Sequence, residues 1–301
     1  MNAPVVFYQK CVFCNSADIH PVLVAKDHTV SFENFEVWHC GHCTNRFTQS
    51  IPDINHIGPY YQSDAYVSHS DTDKGLINKL YHWVRSYTLG TKRRLINRTS
   101  GRTQGALLDI GADTGAFAHA MSEAGWEVTA LEPDPIAREN ANKKYGLQLR
   151  SADDINSLPE SSFDVITLWH VLEHVHDLHG YFDRFKKLLK PQGKLVIAVP
   201  NYTSKDALAY GQYWAAWDVP RHLHHFSPAG MQQLAQLKGF TVSSLHPMWF
   251  DAFYVSMLSE QYKNGQSNLP GAFWNGLLSN IAAIGDKRNC SSLIYLLQSN
   301  S

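Results

Sequence analysis

Between Ala106 and Pro247 short apolar runs alternate with amphipathic stretches, and this restricts the fold more than any other feature of the 301 residues. Strands are predicted at Ala106–Ile110, Glu127–Leu131, Leu147–Leu149, Phe163–Trp169 and Lys194–Val199. Helical patterns separate them at Gly115–Ala124, Pro135–Lys144 and Asp177–Leu189, and Pro191 and Gly193 punctuate the turn into the last strand. The helix "SPAGMQQLAQLKG" follows, with Ser227 as N-cap and Pro228 at its first position, and then a strand "FTVSSLHP". Strands spaced by helical segments imply βαβ units, a mostly parallel, doubly wound α/β sheet and ligands at the carboxyl ends of the strands.

The first strand runs into "LLDIGADTGAF" (Leu107–Phe117). Asp109 ends the strand, Gly111 and Gly115 shape a turn, and Glu132 ends the second strand 21 residues after Gly111. A carboxylate at that strand end suits a ribose diol, because it accepts from both hydroxyls. Asp113 occupies the position where such loops often carry a glycine. A pyrophosphate wants bare N–H groups and would be repelled by a neighbouring carboxylate. S-adenosylmethionine carries an ammonium and a sulfonium and no phosphate, so an acidic loop suits it better.

The ordered set "LLDIGADTGAF…VTALEPD…FDVITLWHVLEHV…LLKPQGKLVIAVPN", about residues 105–200, resembles a class I S-adenosylmethionine-dependent methyltransferase with a Rossmann-like sheet. The resemblance implies that Asp109, Gly111 and Gly115 lie along the methionine part and that Glu132 holds the ribose. It also implies that Asp153 or Asp154 sits by the adenine amine and that His170, after the fourth strand, lies near the cofactor. Asp113 is the departure from the pattern.

Four of the five cysteines form "CVFC" (Cys11, Cys14) and "CGHC" (Cys40, Cys43), separated by 25 residues. Two such knuckles match a tetrahedral Zn²⁺ site, structural because four thiolates leave no open position. His39 and His42 flank the second pair without being needed. Cys290 is expected to be a small core residue. A zinc-ribbon-like segment ahead of a methyltransferase domain is similar to that of some bacterial sugar C-methyltransferases. In that likeness it docks over the acceptor side, where Tyr60, Tyr61, Tyr66 and His69 would line the pocket or pack.

Two histidine-rich stretches, "WHVLEHVHD" (Trp169–Asp177) and "WAAWDVPRHLHHFSP" (Trp214–Pro228), fall at the carboxyl edge of the sheet. The second resembles a tract that covers the acceptor in bacterial small-molecule methyltransferases. Methyl transfer to a hydroxyl needs alignment and removal of a proton, and a neutral imidazole is suited to that at neutral pH. His170, His174, His222 and His225 are the candidates, with His170 preferred for its proximity. Arg221 is read either as a binder of an acidic acceptor group or as a partner of Asp218. His170, Glu173 and His174, with a histidine from 222–225, also resemble the ligand set of Mg²⁺-binding small-RNA 2′-O-methyltransferases; some quinone-biosynthesis O-methyltransferases use a divalent ion there. A histidine in the first position suits Zn²⁺ or Fe²⁺ better than Mg²⁺, so a second divalent metal is a further expectation.

The formal net charge of −1 gives no electrostatic footprint for nucleic acid, and "TKRRLINR" reads as a solvated helix face. No signal peptide or membrane-spanning run is read from the sequence, and a cytoplasmic protein with reduced thiols is expected. The expected organisation is a zinc-ribbon-like segment (1–60), a linker and helix (61–100), the cofactor-binding domain (101–248) and a helical extension (249–301). The 75–98 stretch is read as one long helix or two, with Gly90 as the break. The apolar tail is expected to pack as helices on the sheet edge or on a second subunit of a homodimer; a membrane-surface role lacks the Lys/Arg expected of it. The leading function is methylation of a small-molecule acceptor, a sugar or nucleotide-sugar, or a quinone or phenol. RNA methylation through the zinc ribbon and a non-catalytic binding protein are the rivals.

Overall fold

The computed structural model describes residues 4–62 and 76–300. The amino-terminal part contains β1 (Val5–Val6), β2 (Ile19–Lys26), β3 (Asn34–Cys40), β4 (Arg46–Thr48) and β5 (Ile51–Pro52). β2, β3 and β4 form an antiparallel meander, and β1 pairs with β5. One helix, α1 (Leu76–Ser100), then runs through Gly90 without a break. A mid-helix glycine costs about 1 kcal/mol, which packing of the helix offsets here.

The alternating region builds β6 (Ala106–Ile110), α2 (Ala116–Glu123), β7 (Glu127–Leu131), α3 (Pro135–Tyr145), β8 (Phe163–Trp169), α4 (Leu178–Leu188) and β9 (Leu189–Pro200). Next come α5 (Lys205–Tyr210), β10 (His224–His225), α6 (Pro228–Leu237), β11 (Phe240–Pro247), α7 (Asp251–Asn264), α8 (Leu269–Gly285) and β12 (Ser292–Ser299). The main sheet has the order β11-β12-β9-β8-β6-β7; β7, β6, β8 and β9 are parallel, and β12 runs antiparallel to both its neighbours.

β8 is buried along almost its whole length, as a central strand covered on both faces must be. On α4 the residues Leu178, Phe182, Phe185 and Leu188 recur at helical spacing and are buried against the sheet. Each such side chain contributes about 1.5–3 kcal/mol by leaving water. Ser227 caps α6 by accepting from the Gly230 amide at 2.9 Å, with Pro228 in the first turn.

Three expectations are corrected. Leu147–Leu149 is not a strand: only a bridge between Leu131 and Arg150 remains of it. The strand expected to start at Lys194 already pairs from Leu189, with an irregularity in register near its start. The tail is helical only through α7 and α8; Ser292–Ser299 returns to the sheet between β9 and β11. Its first six residues, Ser292–Leu297, are buried on both faces, which erases the alternation that marks a strand. Cys290 is a fully buried core residue, as expected.

Candidate functional site

At the end of β6, Gly111 has φ +70°, and a Cβ there would meet Val171 Cγ2 at 2.4 Å, so only glycine fits. Gly115, φ +76°, opens α2. Asp113 also lies in the left-handed region, φ +48°, a conformation that Asp tolerates better than most residues. Its carboxylate is exposed, while its backbone amide donates to Glu132 Oε2 at 2.8 Å. The Asp134 amide donates to Glu132 Oε1 at 3.0 Å. Glu132 is thus pinned at the end of β7, each oxygen keeping a lone pair for a further donor, and burial raises its pKa.

Asp109 is buried at the carboxyl end of β6 and accepts from the Thr167 hydroxyl at 2.7 Å. Burial pushes its pKa up to about 7, against the pull of Thr167 and Lys92. The Lys92 ammonium, from α1, lies 4.1 Å from the centre of the Trp169 ring, and burial brings its pKa down to about 8. Asp153 and Asp154 fall in a 3₁₀ turn (Ala152–Ser157) just after the Leu131–Arg150 bridge. Asp154 is engaged by Arg150 at 3.1 Å and Asp153 is exposed.

His170 follows β8 with φ +58°. Its Nδ1 is 3.2 Å from Glu173 Oε1, and its Nε2 is 3.0 Å from Asp251 Oδ2, in the first turn of α7. Burial alone would lower its pKa, but Asp251 and Glu173 together push it up to about 10. Both ring nitrogens of His170 thus face carboxylates, an arrangement that favours the charged ring over the neutral base expected of it.

Glu173 is fully buried, and its Oε2 has no partner among the described residues. An orphaned carboxylate oxygen is costly unless something binds it. Glu173, His174 and His222 each bring one ligand atom into a group within 4.8 Å of one another. His174 Nδ1 lies 3.0 Å from the Arg221 carbonyl and His222 Nδ1 2.8 Å from the Ala216 carbonyl. A carbonyl can only accept, so both rings carry a proton on Nδ1; the Nε2 of His222 faces Asp218 Oδ2 at 3.8 Å. Burial, and then His222, bring the His174 pKa down to about 4.

The amino-terminal segment forms a wall of this site. β4 pairs with β10, so the strand holding His224 and His225 completes a four-stranded sheet with β2, β3 and β4. The Thr48 hydroxyl donates to the His222 carbonyl at 2.6 Å and accepts from His225 Nε2 at 3.0 Å. His225 is buried and held neutral by burial, with its ring edge-on to Trp217. It is a seam residue, not a base. Arg221 is likewise buried, bound to Asp218 at 2.7 Å, Asp27 at 3.1 Å and the Tyr60 carbonyl at 2.8 Å. It ties loop to segment and has no arm left for an acceptor. The Tyr61 hydroxyl reaches His174 Nδ1 at 3.1 Å, whereas Tyr60 turns to Glu33. Tyr66 and His69 lie outside the described residues.

The Cys11 and Cys43 sulfurs are 3.6 Å apart, as are those of Cys14 and Cys40, and all four lie within 4.8 Å of one another. Thiolates around a tetrahedral Zn²⁺ are separated by about 3.8 Å, so the cluster has the size and the donor set for such an ion. His39 and His42 are not members of it.

Asp251, Lys92 and Thr48 join the site without having been singled out by the sequence. Asp251 carried one weak signal, its place as the acidic residue at the start of a helix.

With a glycine-shaped loop, a pinned acidic strand end and histidines on one sheet edge, comparison with known proteins becomes informative. The chain belongs to the methyltransferase-domain family, whose profile matches residues 82–245. The fold is the class I S-adenosylmethionine-dependent one. A solved SAM-dependent methyltransferase from Archaeoglobus fulgidus shares it with a TM-score of 0.50 at 16% identity, over 71% of this chain and 94% of that one. A ubiquinone biosynthesis O-methyltransferase from Xanthomonas oryzae is 32% identical over 129 residues, which span 40% of this chain and 54% of that protein. A demethylmenaquinone methyltransferase from Tropheryma whipplei is 26% identical over 161 residues, 52% of this chain and 64% of that protein. The matched region thus spans little more than half of these relatives' length. Among the described residues no helix is long and apolar enough to cross a membrane.

Proposed function

We propose that this chain methylates a hydroxyl of a small phenol- or quinol-type acceptor, with S-adenosylmethionine as donor. The observation that carries the reading is the convergence of Glu173, His174 and His222 after β8, on the sheet edge where Asp109 and Glu132 also end their strands. The cofactor supplies an electrophilic methyl group. Glu132 is suited to hold its ribose, and Asp109 to face its ammonium. His174, whose proton is fixed on Nδ1, is suited to take the acceptor's proton through Nε2, with His222, backed by Asp218, beside it. The quinone methyltransferases named above support a phenolic acceptor over a sugar, which stays the second choice.

The same three residues fit a divalent metal. The orphaned Glu173 Oε2 and two fixed imidazoles make a carboxylate-and-two-histidine set, whose chemistry suits Fe²⁺ or Zn²⁺. Such an ion would lower the pKa of a hydroxyl placed beside it. The cysteine cluster would hold a structural Zn²⁺. Net charge and the absence of a basic stripe speak against RNA as acceptor.

The test is titration calorimetry with S-adenosylhomocysteine, followed by transfer of labelled methyl to catechols, quinols and nucleotide-sugars. Product on a phenolic oxygen supports the reading, and failure to bind S-adenosylhomocysteine ends it. Metal analysis of the Glu173→Gln chain should show one ion fewer than the parent if the second site is filled.

A further inference from the structure

α8 packs the wrong way round for a helix on the surface of a monomer. Its small residues, Ala272, Gly276, Ser279 and Ala283, are the buried ones, and they lie along one narrow side. Gly276 allows the closest approach: a Cβ there would stand 2.7 Å from Phe253 Cδ1 and 3.0 Å from Phe253 Cα on α7. The large residues point outward. Leu269, Phe273, Trp274, Leu278, Ile281 and Ile284 are each between 50% and 76% exposed. At helical spacing Phe273, Trp274, Leu278, Ile281 and Ile284 fall on the side away from the small residues, and Leu269 lies at its edge. Not one of the seventeen residues of α8 is charged. Trp249, 41% exposed, lies beside this face, its carbonyl accepting from Asn280 at 2.8 Å.

We infer that this outward face of α8 is the contact between two copies of the chain, related by a two-fold axis. Three observations favour a second copy as the occupant. A two-fold contact presses a surface against itself, so a face without charges meets no repulsion from its own image. Its make-up, aliphatic and aromatic with no ions, is that of the centre of a homodimer interface. Its extent also fits: six large side chains at these exposures present roughly 600 Å², near the roughly 800 Å² per partner of a stable interface. A membrane-surface helix would instead carry cations along its polar side, and that side of α8 is Ala, Gly and Ser packed on α7 and α5, Gly276 against Phe253 and Ser279 donating to Asp206. The outward face of Gly276's helix is therefore matched to a twin helix, α8 against α8.

The experiment uses the full-length, zinc-replete chain in sedimentation velocity across a wide range of concentration. The parent should move from chain mass to twice that mass as concentration rises. Trp274→Glu and Ile281→Glu, both on the outward face, should stay at chain mass with unchanged circular dichroism and thermal unfolding. Trp274 emission in the parent should shift to the blue over the same concentration range. The inference is overturned if the parent stays at chain mass up to its solubility limit, or if it dimerises and both glutamate variants do so equally well. Flotation of a monomeric parent with phosphatidylcholine–phosphatidylglycerol vesicles, lost in Trp274→Glu, would overturn it too and give the face to a membrane.

Discussion

The Nε2 of His170 stands 3.0 Å from Oδ2 of Asp251, tying the end of a central strand to the first turn of the carboxyl-terminal helical pair. Across the same ring Nδ1 meets Glu173, so one imidazole joins the tail to the carboxylate at the centre of the candidate site. The tail therefore belongs to the site's architecture.

Asp251→Asn should weaken that tie. Loss of a partly exposed charged hydrogen bond costs about 1–2 kcal/mol. The pH dependence has a definite sign. His170 has its pKa raised in the folded chain, to about 10. Its contribution is therefore fully present below the unfolded value of about 6.5 and disappears as pH rises towards about 10. In Asp251→Asn the decline should start at the same unfolded-state value but be smaller and end at lower pH. Urea denaturation of parent and variant across this range reads both effects, and superimposable pH profiles would refute the coupling.

Asp109 should make cofactor affinity depend on pH near neutrality. Its carboxyl is raised to about 7 by burial, so below that value it carries a proton and above it a charge. The native state holds this proton more tightly than the unfolded chain, so stability falls as pH climbs from about 4 to about 7. Affinity for a ligand with an ammonium group should do the opposite and tighten as pH passes about 7. Asp109→Asn should weaken S-adenosylhomocysteine binding by about ten- to a hundredfold, the range of a charge-assisted hydrogen bond, and flatten its pH profile. Calorimetry at several pH values decides, and an unaltered pH dependence in the variant would exclude Asp109 as its source.

Gly111→Ala should damage the loop in two ways at once. The added Cβ would stand 2.4 Å from Val171 Cγ2, and an alanine would be strained at φ +70°. Together these should cost about 2–4 kcal/mol and abolish binding of S-adenosylhomocysteine. Val171→Ala in the same chain should relieve the clash but not the backbone strain, giving partial recovery of thermal stability. Full recovery would show that the positive φ does not matter.

The strands β6, β7, β8 and β11 were legible to the residue because each is a short apolar run between turn signals, and β6, β7 and β8 alternate with helices. Ser292–Ser299 was not, because a strand buried on both faces has no period to read. Leu147–Leu149 has the composition of a strand, but only Arg150 finds a partner. In the site, glycines and strand-end carboxylates were visible from spacing, since local turn chemistry sets them. Asp251 is 81 residues from His170, and no local pattern can announce a contact at that separation. Asp113 shows a subtler limit: its identity suggested a carboxylate aimed at the ligand, whereas its backbone amide holds Glu132.

If the cysteine cluster holds Zn²⁺ as proposed, removing that ion should loosen the histidine loop before it unfolds the sheet. The knuckle residues Cys40 and Cys43 lead directly into β4, and β4 is hydrogen-bonded to β10. The Thr48 amide donates to the Leu223 carbonyl at 2.9 Å and its hydroxyl to that of His222 at 2.6 Å, so the position of His222 is inherited from the knuckle. The knuckle shares an apolar cluster with Leu108, Ile166 and α4, but Leu107, Val165 and Val196 of β6, β8 and β9 pack in a second cluster without it, which should keep those strands folded. Treatment with a strong chelator should therefore raise hydrogen exchange over residues 221–226 and 46–48, while β6 and β8 stay protected. Cys40→Ser should reproduce the pattern, with methyl transfer reduced more than S-adenosylhomocysteine binding. Uniform loss of protection would mean that knuckle and sheet unfold as one unit, and unchanged exchange in the loop would mean that the metal does not hold His222 in place.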